Sequence, residues 1–273
     1  MERTYINEAQ KAIGSTVKVQ GFIENLRNSK YMAFIVLKDI TGKLQITVEK
    51  EDHPDLVDTI DKLTPDSVIT VTGKVMENDY VKMGGVEMIP ESIEIESIAN
   101  ALPIVRKEIA ATKKKKAVER SSIDQRIDYR WIDLRTDENQ LMFKAQSCFV
   151  NAMRKFLLDR NFIEIHTPKL IAAASESGSE VFKVDYFDRN AYLAQSPQFY
   201  KQMAMAAGFE RIFETGPVFR AEKSYTNKHS TEFSGFDLEF SYITSYKDVM
   251  KMEEELLTAG LQAVKDNYGD QIK

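Results

Sequence analysis

One short segment of the sequence carries the side chains that are best suited to binding or catalysis. Phe219-Arg220-Ala-Glu222 is followed by His229 and then by Glu232-Phe233. A guanidinium suits two anionic oxygens because its N–H donors form a rigid fork. Taken singly, these residues have ordinary explanations: a cross-strand ion pair of Arg220 with Glu222, a core phenylalanine and a surface histidine. Their occurrence together, at this spacing, favours a binding site.

Three residues of the N-terminal part could contact a nucleic acid, namely Phe34, Gln45 and Glu87. An aromatic ring can stack on a splayed base, and an amide and a carboxylate can hydrogen-bond base edges in a single-stranded loop. Phe34 also fits the core of a β-barrel, since it lies within Ala33-Phe-Ile-Val-Leu37. Spacing alone leaves both interpretations open.

The elements that would position the nucleic-acid residues are strands. Polar and apolar residues alternate over 16–23, 43–48 and 67–75, which predicts strands separated by turns. Residues 55–63 have helical spacing and lie between the third and fourth predicted strands. Five strands with a helix between the third and the fourth are the plan of an OB-fold barrel, whose strand face binds oligonucleotides.

The second half of the chain has a mixed pattern. Apolar spacing predicts one long helix over 139–160, a shorter helix over 197–207 and a helical tail over 245–268. Strand-like segments are predicted at 181–187, 190–194, 211–219 and 234–242. A charged, helix-prone connector separates this α+β part from the barrel, so two domains joined by a hinge are expected.

The composition is that of a globular protein, with 43% hydrophobic and 29% charged residues in a chain of 273. The formal net charge of -5 is weak evidence against a nucleic-acid partner, because whole-chain charge hides patches such as Lys113–Lys116. No apolar run approaches the roughly 18 residues of a membrane helix. With Cys148 as the single cysteine and no secretory signal, a cytoplasmic protein without a membrane partner is expected. His53, His166 and His229 are scattered, so no metal site is predicted.

Together these motifs resemble the class II aminoacyl-tRNA synthetases and, within them, the aspartyl members. Phe219 to Glu239 matches motif 2, in which an arginine and a carboxylate precede a loop and the partner strand. Gln195-Ser-Pro-Gln198-Phe-Tyr-Lys201 matches the amino-acid-binding helix of the aspartyl members. Phe162 to Pro168 is similar to motif 1, and Trp131 to Arg135 is similar to the segment that opens the catalytic domain. The resemblance covers nearly the whole chain.

The resemblance implies an aspartate–tRNA ligase that uses ATP, aspartate and tRNA(Asp), with tRNA(Asn) as a second possible acceptor. Arg220 would be catalytic, bridging the α-phosphate of ATP and the attacking carboxylate. Phe233 would stack on adenine, Glu222 would contact the adenine edge, and His229 would lie near the outer phosphates. Such a displacement needs positioning and charge neutralisation rather than a protein nucleophile.

The same resemblance assigns the amino-acid site and the anticodon site. Lys201 would meet the side-chain carboxylate of aspartate. The residues expected around the substrate ammonium group and beside it are Glu176, Gln198, Asp237 and Ser196. Phe34, Gln45 and Glu87 align with the anticodon readers of the family, and Pro168 of motif 1 would lie in a homodimer interface.

The implied organisation is an OB-fold anticodon-binding domain over 1–102, a hinge over 103–135 and a partial class II catalytic domain over 136–273. The Gly-x-Gly-x-x-Arg element of motif 3 is absent from the sequence. In the family it follows much later, with the carboxylates that hold Mg²⁺. The chain is therefore expected to be the N-terminal portion of a longer enzyme, with impaired or absent aminoacylation. A non-catalytic tRNA-binding fragment or paralogue is the alternative, and an asparaginyl enzyme is a further one.

Overall fold

The computed structural model describes residues 1–108, 117–175, 180–223, 226 and 228–272. The lysine run 113–116 and Glu176 lie outside the described residues. The chain forms two compact units, Met1–Tyr129 and Arg130–Lys273. No helix among the described residues is both long enough and apolar enough to cross a membrane.

The first unit is built on a closed five-stranded barrel. Its strands are β1 (Thr16–Asn28), β2 (Met32–Lys38), β3 (Lys43–Glu49), β4 (Val68–Glu77) and β5 (Val86–Ser97), in the spatial order β1-β2-β3-β5-β4. Helix α1 (Ile6–Ala9) precedes the barrel, and a 3-10 turn over Pro54–Leu56 leads into α2 (Val57–Ile60) between β3 and β4. The predicted OB-fold plan, with its helix between the third and fourth strands, is confirmed.

Side chains from the inner faces of the strands fill the barrel, and the alternation is strict on β2. On β2, Ala33, Ile35 and Leu37 are fully buried, whereas the residues between them face outward and are only partly buried. Since side chains on a strand alternate between its two faces, Phe34 belongs to the outer face and not to the core. The core interpretation of Phe34 is therefore wrong.

The segment that leaves the barrel is fastened back to it. The Arg106 guanidinium lies 2.7 Å from the Asp66 carboxylate, which is buried in the turn before β4. The backbone N–H of Val105 donates to Ser121 Oγ at 2.9 Å, and the N–H of Ser121 donates to the Val105 carbonyl at 3.0 Å. The chain therefore departs at Val105 and returns beside it at Ser121, before α3 (Ile123–Asp128).

The second unit combines helices with two small sheets. Its helices are α4 (Arg130–Asp133), α5 (Asp137–Leu158), α6 (Gln198–Ala206) and α7 (Tyr246–Ile272). Its strands are β6 (Ile163–Glu164), β7 (Leu170–Ile171), β8 (Lys183–Tyr186), β9 (Arg189–Leu193), β10 (Arg211–Phe219) and β11 (Glu232–Phe240). One sheet has the order β11-β10-β6 and the other β7-β9-β8. All pairings in them are antiparallel except the short parallel pair of β10 with β6.

Helices α5 and α7 cover one face of the β10–β11 hairpin. Met153 and Leu157 of α5 and Leu256 of α7 are buried with Phe213 of β10 in one apolar cluster. The helices approach closely at Gly260, where an added Cβ would lie 2.6 Å from the Phe149 ring. This packing leaves the opposite face of the hairpin available for a site.

The element boundaries differ slightly from the sequence prediction. Helix α5 begins at Asp137 because Thr136 Oγ1 accepts a hydrogen bond from the Asn139 N–H at 3.3 Å and caps the helix. Strand β11 begins and ends two residues before the predicted range 234–242, because it is paired along its whole length with β10. The domain boundaries 1–102, 103–135 and 136–273 stay predictions.

Candidate functional site

The open face of the β10–β11 hairpin carries a regular series of facing residues. In an antiparallel pair, residues directly opposite each other point to the same side of the sheet. The successive facing pairs are Glu214–Asp237, Gly216–Gly235 and Val218–Phe233. A charged pair, a pair without side chains and an apolar pair thus follow one another along the strands.

A cavity of ≈ 80 Å³ lies over this series. Beside the three pairs it is lined by Lys169, the 195–197 segment, Arg220 and Phe236. The 195–197 segment is positioned by backbone hydrogen bonds of the preceding residue: Ala194 N–H donates to the Lys169 carbonyl at 3.0 Å and its carbonyl accepts from the Phe219 N–H at 2.9 Å. One cavity therefore joins the end of β9, the start of α6 and the hairpin.

Arg220 lies at the apolar end of the cavity, immediately after β10. Its guanidinium carbon is 5.5 Å from the centroid of the Phe233 ring, a cation–π arrangement. Its Nε is buried and has no hydrogen-bond partner among the described residues. Buried donors are almost always satisfied, so this N–H is available to an acceptor that is not among the described residues.

Lys201 lies near the charged end of the cavity, on α6, and is only 7% exposed. Its ammonium group donates to Asp237 Oδ1 and lies 3.2 Å from Glu239 Oε2. Asp237 lines the cavity, whereas Lys201 lies behind it. A buried cation is thus held next to the cavity by two carboxylates of the same strand.

Glu214 joins β10 to the segment that follows β6. Its carboxylate accepts hydrogen bonds from the N–H of Thr167 at 2.8 Å, from the Thr167 hydroxyl at 2.7 Å and from Lys169 Nζ at 2.9 Å. Burial acts to raise the pKa of Glu214, but the hydrogen bonds from Lys169 and Thr167 outweigh it, so the pKa lies below its ordinary value. The carboxylate is therefore ionised and fixed at the charged end of the cavity.

Ser196 and Gln198 stand at the start of α6. The Gln198 N–H donates to Ser196 Oγ at 3.3 Å, which ties the first turn of the helix to the cavity wall. Ser196 Oγ also lies 3.5 Å from Ser175 Oγ. The structure thus brings Ser196, Gln198, Lys201 and Asp237 into one region of the second unit.

Other predicted residues are not brought into the cavity. Glu222 and His229 are exposed and do not line it, and His229 Nδ1 shares a hydrogen bond of 2.5 Å with Thr226 Oγ1. Pro168 is exposed as well, although the residues on both sides of it bind Glu214. Glu176 lies outside the described residues, so its predicted role has no structural test.

Several residues of the site were missed in the sequence. Lys169 and Glu214 are ordinary charged residues whose pairing depends on a contact between distant segments. Glu239 could have been found, because it is spaced two residues from Asp237 on a predicted strand and so points to the same face. The facing of Gly216 and Gly235 depends on the register of the hairpin, which the sequence does not reveal.

The outer face of the barrel brings the three predicted nucleic-acid residues close to one another. Gln45 of β3 faces Glu87 of β5 in a parallel pair, and Phe34 of β2 faces Thr47. Thr47 Oγ1 donates to Glu87 Oε2 at 2.5 Å, and Asn78 Nδ2 donates to Glu87 Oε1 at 2.8 Å. An aromatic ring, an amide and an oriented carboxylate therefore share one surface.

The implied Mg²⁺ can be tested against the side chains present. Within the described part of the chain, no group of three His, Cys, Asp or Glu side chains is placed to hold a metal ion. These residues do not form a magnesium site on their own.

Comparison with known proteins identifies both units. Residues 17–96 match the OB-fold nucleic acid binding domain, and residues 122–272 match the family described as tRNA synthetases class II (D, K and N). The chain belongs to the class II tRNA synthetases of the D, K and N group. The resemblance found in the sequence is thereby confirmed, together with the fold of an OB barrel followed by part of a class II catalytic domain.

Individual synthetases are similar over almost the whole chain. The aspartate–tRNA(Asp) ligase of Picrophilus torridus is 41% identical over 271 residues, which cover 99% of this chain and 61% of that protein. The aspartate–tRNA(Asp/Asn) ligase of Methanopyrus kandleri is 44% identical over 262 residues, covering 95% of this chain and 58% of that protein. The chain thus spans about three-fifths of the length of these two relatives.

Solved synthetase structures share the fold. The asparaginyl-tRNA synthetase from Pyrococcus horikoshii, complexed with asparaginyl-adenylate, has a TM-score of 0.88 at 30% identity and covers 100% of this chain and 60% of its own. A putative aspartyl-tRNA synthetase from Leishmania major has a TM-score of 0.80 at 31% identity, and the match covers 98% of this chain and 55% of that one. Since both kinds of synthetase superpose, the fold alone does not distinguish aspartate from asparagine.

Proposed function

We propose that this chain carries the anticodon-binding part and the amino-acid-activating pocket of an aspartate–tRNA ligase. The observation that carries the proposal is a cavity that has a guanidinium with an unsatisfied donor, Arg220, at one end and, at the other, Asp237 with the buried ammonium of Lys201 behind it. Along β11, Asp237 and Phe233 mark the two ends of the cavity, about 13 Å apart at the usual rise per residue. That length suits an acidic amino acid joined to a nucleotide phosphate.

The first step would be attack of the aspartate α-carboxylate on the α-phosphorus of ATP. A bond forms between the carboxylate oxygen and the α-phosphorus, the bond to the bridging oxygen of the β-phosphate breaks, and pyrophosphate leaves. Arg220 would neutralise the charge on the α-phosphate and the attacking carboxylate, while Phe233 stacks on adenine. No protein nucleophile is required, because positioning and charge neutralisation lower the barrier.

The second step would be transfer to tRNA. The terminal ribose hydroxyl attacks the aspartyl carbonyl, and AMP leaves. Phe34, Gln45 and Glu87 would read the anticodon by stacking and hydrogen bonding, as their shared outer surface on the barrel supports. tRNA(Asp) is the proposed acceptor, with tRNA(Asn) as a second one, since aspartate ligases of both specificities are similar to this chain.

Selection of aspartate would rest on the third N–H of Lys201. An ammonium has three donors; Asp237 accepts a hydrogen bond from one, and Glu239 Oε2 lies 3.2 Å from the nitrogen as an ion-pair partner. A substrate carboxylate at the third makes a charge-assisted hydrogen bond, whereas the amide of asparagine makes a neutral one. The difference is about 1–2 kcal/mol, which corresponds to roughly tenfold discrimination.

The remaining parts of the proposal concern the assembly. A homodimer formed through motif 1 would place the exposed Pro168 in its interface, and the enzyme would work in the cytoplasm. Mg²⁺ would need ligands beyond those described here. Aminoacylation by the chain on its own is expected to be impaired or absent, because the motif 3 residues that hold the γ-phosphate are not in its sequence.

Two alternatives are consistent with the structure. A non-catalytic tRNA-binding protein is supported by the closed barrel, whose outer face carries Phe34, Gln45 and Glu87. An asparaginyl enzyme is compatible with the fold, because synthetases of both kinds superpose on this chain.

Calorimetric titration with two stable adenylate analogues, aspartyl- and asparaginyl-sulfamoyl adenosine, separates these possibilities. We expect the aspartyl compound to bind about tenfold more tightly. Lys201→Ala should abolish that preference while ATP binding persists, and Lys251→Ala, which changes an exposed lysine of α7, should leave it intact. A preference for the asparaginyl compound would instead support an asparaginyl enzyme. Salt-sensitive tRNA binding without affinity for either compound would support the non-catalytic alternative.

A further inference from the structure

One carboxylate beside the cavity has no contact with substrate in the proposed function. Glu239 lies two residues beyond Asp237 on β11, and both side chains point to the same face of the strand. Glu239 Oε2 is 3.2 Å from Lys201 Nζ. The Lys201 side chain is 8% exposed, and those of Asp237 and Glu239 are each 31% exposed. One buried cation is therefore shared by two partly exposed anions.

The two carboxylates differ in what they can reach. Asp237 faces Glu214 across the hairpin and lines the cavity. Glu239 faces Ile212, which is fully buried, and does not line the cavity. A ligand in the cavity can therefore contact Asp237 directly, whereas Glu239 can influence the ligand only through Lys201.

Asp237 has two competing partners, Lys201 and the ligand, and Glu239 removes this competition. Asp237 is paired with Lys201, yet it is also the carboxylate available to an incoming ammonium group. If Asp237 were the only protein carboxylate at Lys201, its move to the ligand would leave the substrate carboxylate as the single charged partner of a buried ammonium, and incomplete pairing of a buried charge is unfavourable. With Glu239 in place, Lys201 keeps one charged partner when Asp237 changes its own.

We propose that Glu239 is a positioning residue that holds Lys201 and thereby releases Asp237 to bind the α-ammonium group of the amino acid. The proposal rests on the proposed function, because it takes an amino acid as the occupant of the cavity. Glu239 touches neither the amino acid nor the nucleotide. Its contribution therefore appears only when the ligand carries an ammonium group.

A chemical double-mutant cycle tests this coupling. The probes are aspartyl-sulfamoyl adenosine and its deamino analogue, succinyl-sulfamoyl adenosine, which differ only in the amino group. Their dissociation constants are measured by calorimetry for the wild-type chain and for Glu239→Ala and Glu239→Gln. Glu253→Ala, at an exposed carboxylate of α7, is the matched control, and thermal unfolding verifies that each variant is folded.

In the wild-type chain and in Glu253→Ala, loss of the amino group should weaken binding by about tenfold, the effect of one charged hydrogen bond. In both Glu239 variants the same loss should weaken binding by less than about threefold, because Asp237 stays with Lys201. Glu239→Gln keeps the shape and an acceptor oxygen, so agreement of the two variants identifies charge as the relevant property.

Two further outcomes would count against the proposal. An amino-group effect of equal size in the wild-type chain and in the Glu239 variants would overturn the role of Glu239 and leave the proposed function standing. Wild-type binding of the aspartyl probe no tighter than that of adenosine 5′-sulfamate would reject the proposed function itself, and the role of Glu239 with it.

Discussion

Gly216 and Gly235 face each other across the β10–β11 hairpin, and both line the cavity. Neither residue projects a side chain, so the sheet backbone itself forms the floor between the charged pair Glu214–Asp237 and the apolar pair Val218–Phe233. The bare stretch of sheet leaves room for a ligand to lie flat between the carboxylates at one end and Arg220 with Phe233 at the other.

Substitutions at Gly235 should change ligand affinity without lowering the melting temperature. A Cβ at Gly235 would lie 3.8 Å from Val218 Cγ2 and 3.9 Å from the Gly216 carbonyl oxygen, which are ordinary contacts. We expect Gly235→Ala to leave the melting temperature unchanged or slightly raised, because alanine reduces the entropy of the unfolded chain. The Gly235→Val side chain projects further into the cavity, so this variant should bind aspartyl-sulfamoyl adenosine at least about tenfold more weakly. Calorimetry and thermal unfolding of both variants measure the two effects, and undiminished affinity of the valine variant would place the ligand elsewhere.

The close contact of α5 and α7 predicts opposite effects at two glycines of one helix. Gly260→Ala would place its Cβ 2.6 Å from Phe149 Cε2 and 3.1 Å from Met153 Cγ, so the helices must shift. A loss of about 1–3 kcal/mol in the free energy of unfolding is expected. Gly269→Ala, whose nearest neighbour is the flexible Lys265 side chain at 3.7 Å, should gain about 0.5–1 kcal/mol from helix propensity. Urea denaturation compares the two, and equal effects would show that the contact at Gly260 does not limit stability.

The hydrogen bonds to Glu214 predict a pH-dependent contribution to stability. The pKa of Glu214 in the folded chain lies below its ordinary value of 4.5, since the hydrogen bonds from Lys169 and Thr167 outweigh burial. A depressed pKa stabilises the fold above pH 4.5, and this stabilisation is lost as the pH falls through the folded-state pKa. Glu214→Gln should therefore cost about 3 kcal/mol at pH 7 and progressively less below pH 4.5.

Urea denaturation at pH 7, 5 and 4 follows this difference, with Glu253→Gln on the surface of α7 as the control. A difference between wild type and Glu214→Gln that stays constant over this pH range would show that ionisation of Glu214 does not stabilise the fold.

Phe34 should contribute to RNA binding without supporting the barrel. Its ring lies on the outer face, 5.9 Å from the Arg27 guanidinium carbon, and packs against no core residue of β2 on that side. Phe34→Ala should weaken binding of an anticodon stem-loop by roughly 1–3 kcal/mol, the value of one stacked base, with little change in melting temperature. Phe22→Ala, which changes an exposed phenylalanine on the neighbouring strand β1, is the control. Fluorescence anisotropy with a labelled stem-loop measures both, and equal losses would argue against a specific stacking role for Phe34.

The sequence predicted most of the fold because periodicity is a local property. Alternation located the barrel strands, and helical spacing located α5, α6 and α7 within a few residues. The outward orientation of Phe34 could have been predicted too, since the buried Ala33, Ile35 and Leu37 leave it no place in the core. The start of α5 depends on a cap at Thr136, which lies three residues before the predicted start of the helix at 139.

The site residues were predictable where one motif carries them. Arg220 and Phe233 were found because both belong to motif 2, with Arg220 immediately after β10 and Phe233 on β11. The contact of Glu214 with Lys169 joins segments 45 residues apart, and the pairing of Lys201 with Asp237 joins segments 36 residues apart. Such contacts depend on how the sheet folds back, and no local pattern encodes them.

The side-by-side arrangement of Val105 and Ser121 has a consequence for how this protein can change. Because the chain comes back to the place it left, the number of residues between these two positions does not set the path from the barrel to α3. Homologues and engineered variants can therefore change the length or the charge of the segment between Val105 and Ser121 while the barrel and α3 keep their positions within the first unit. A tag or a crosslinker could be introduced there for the same reason.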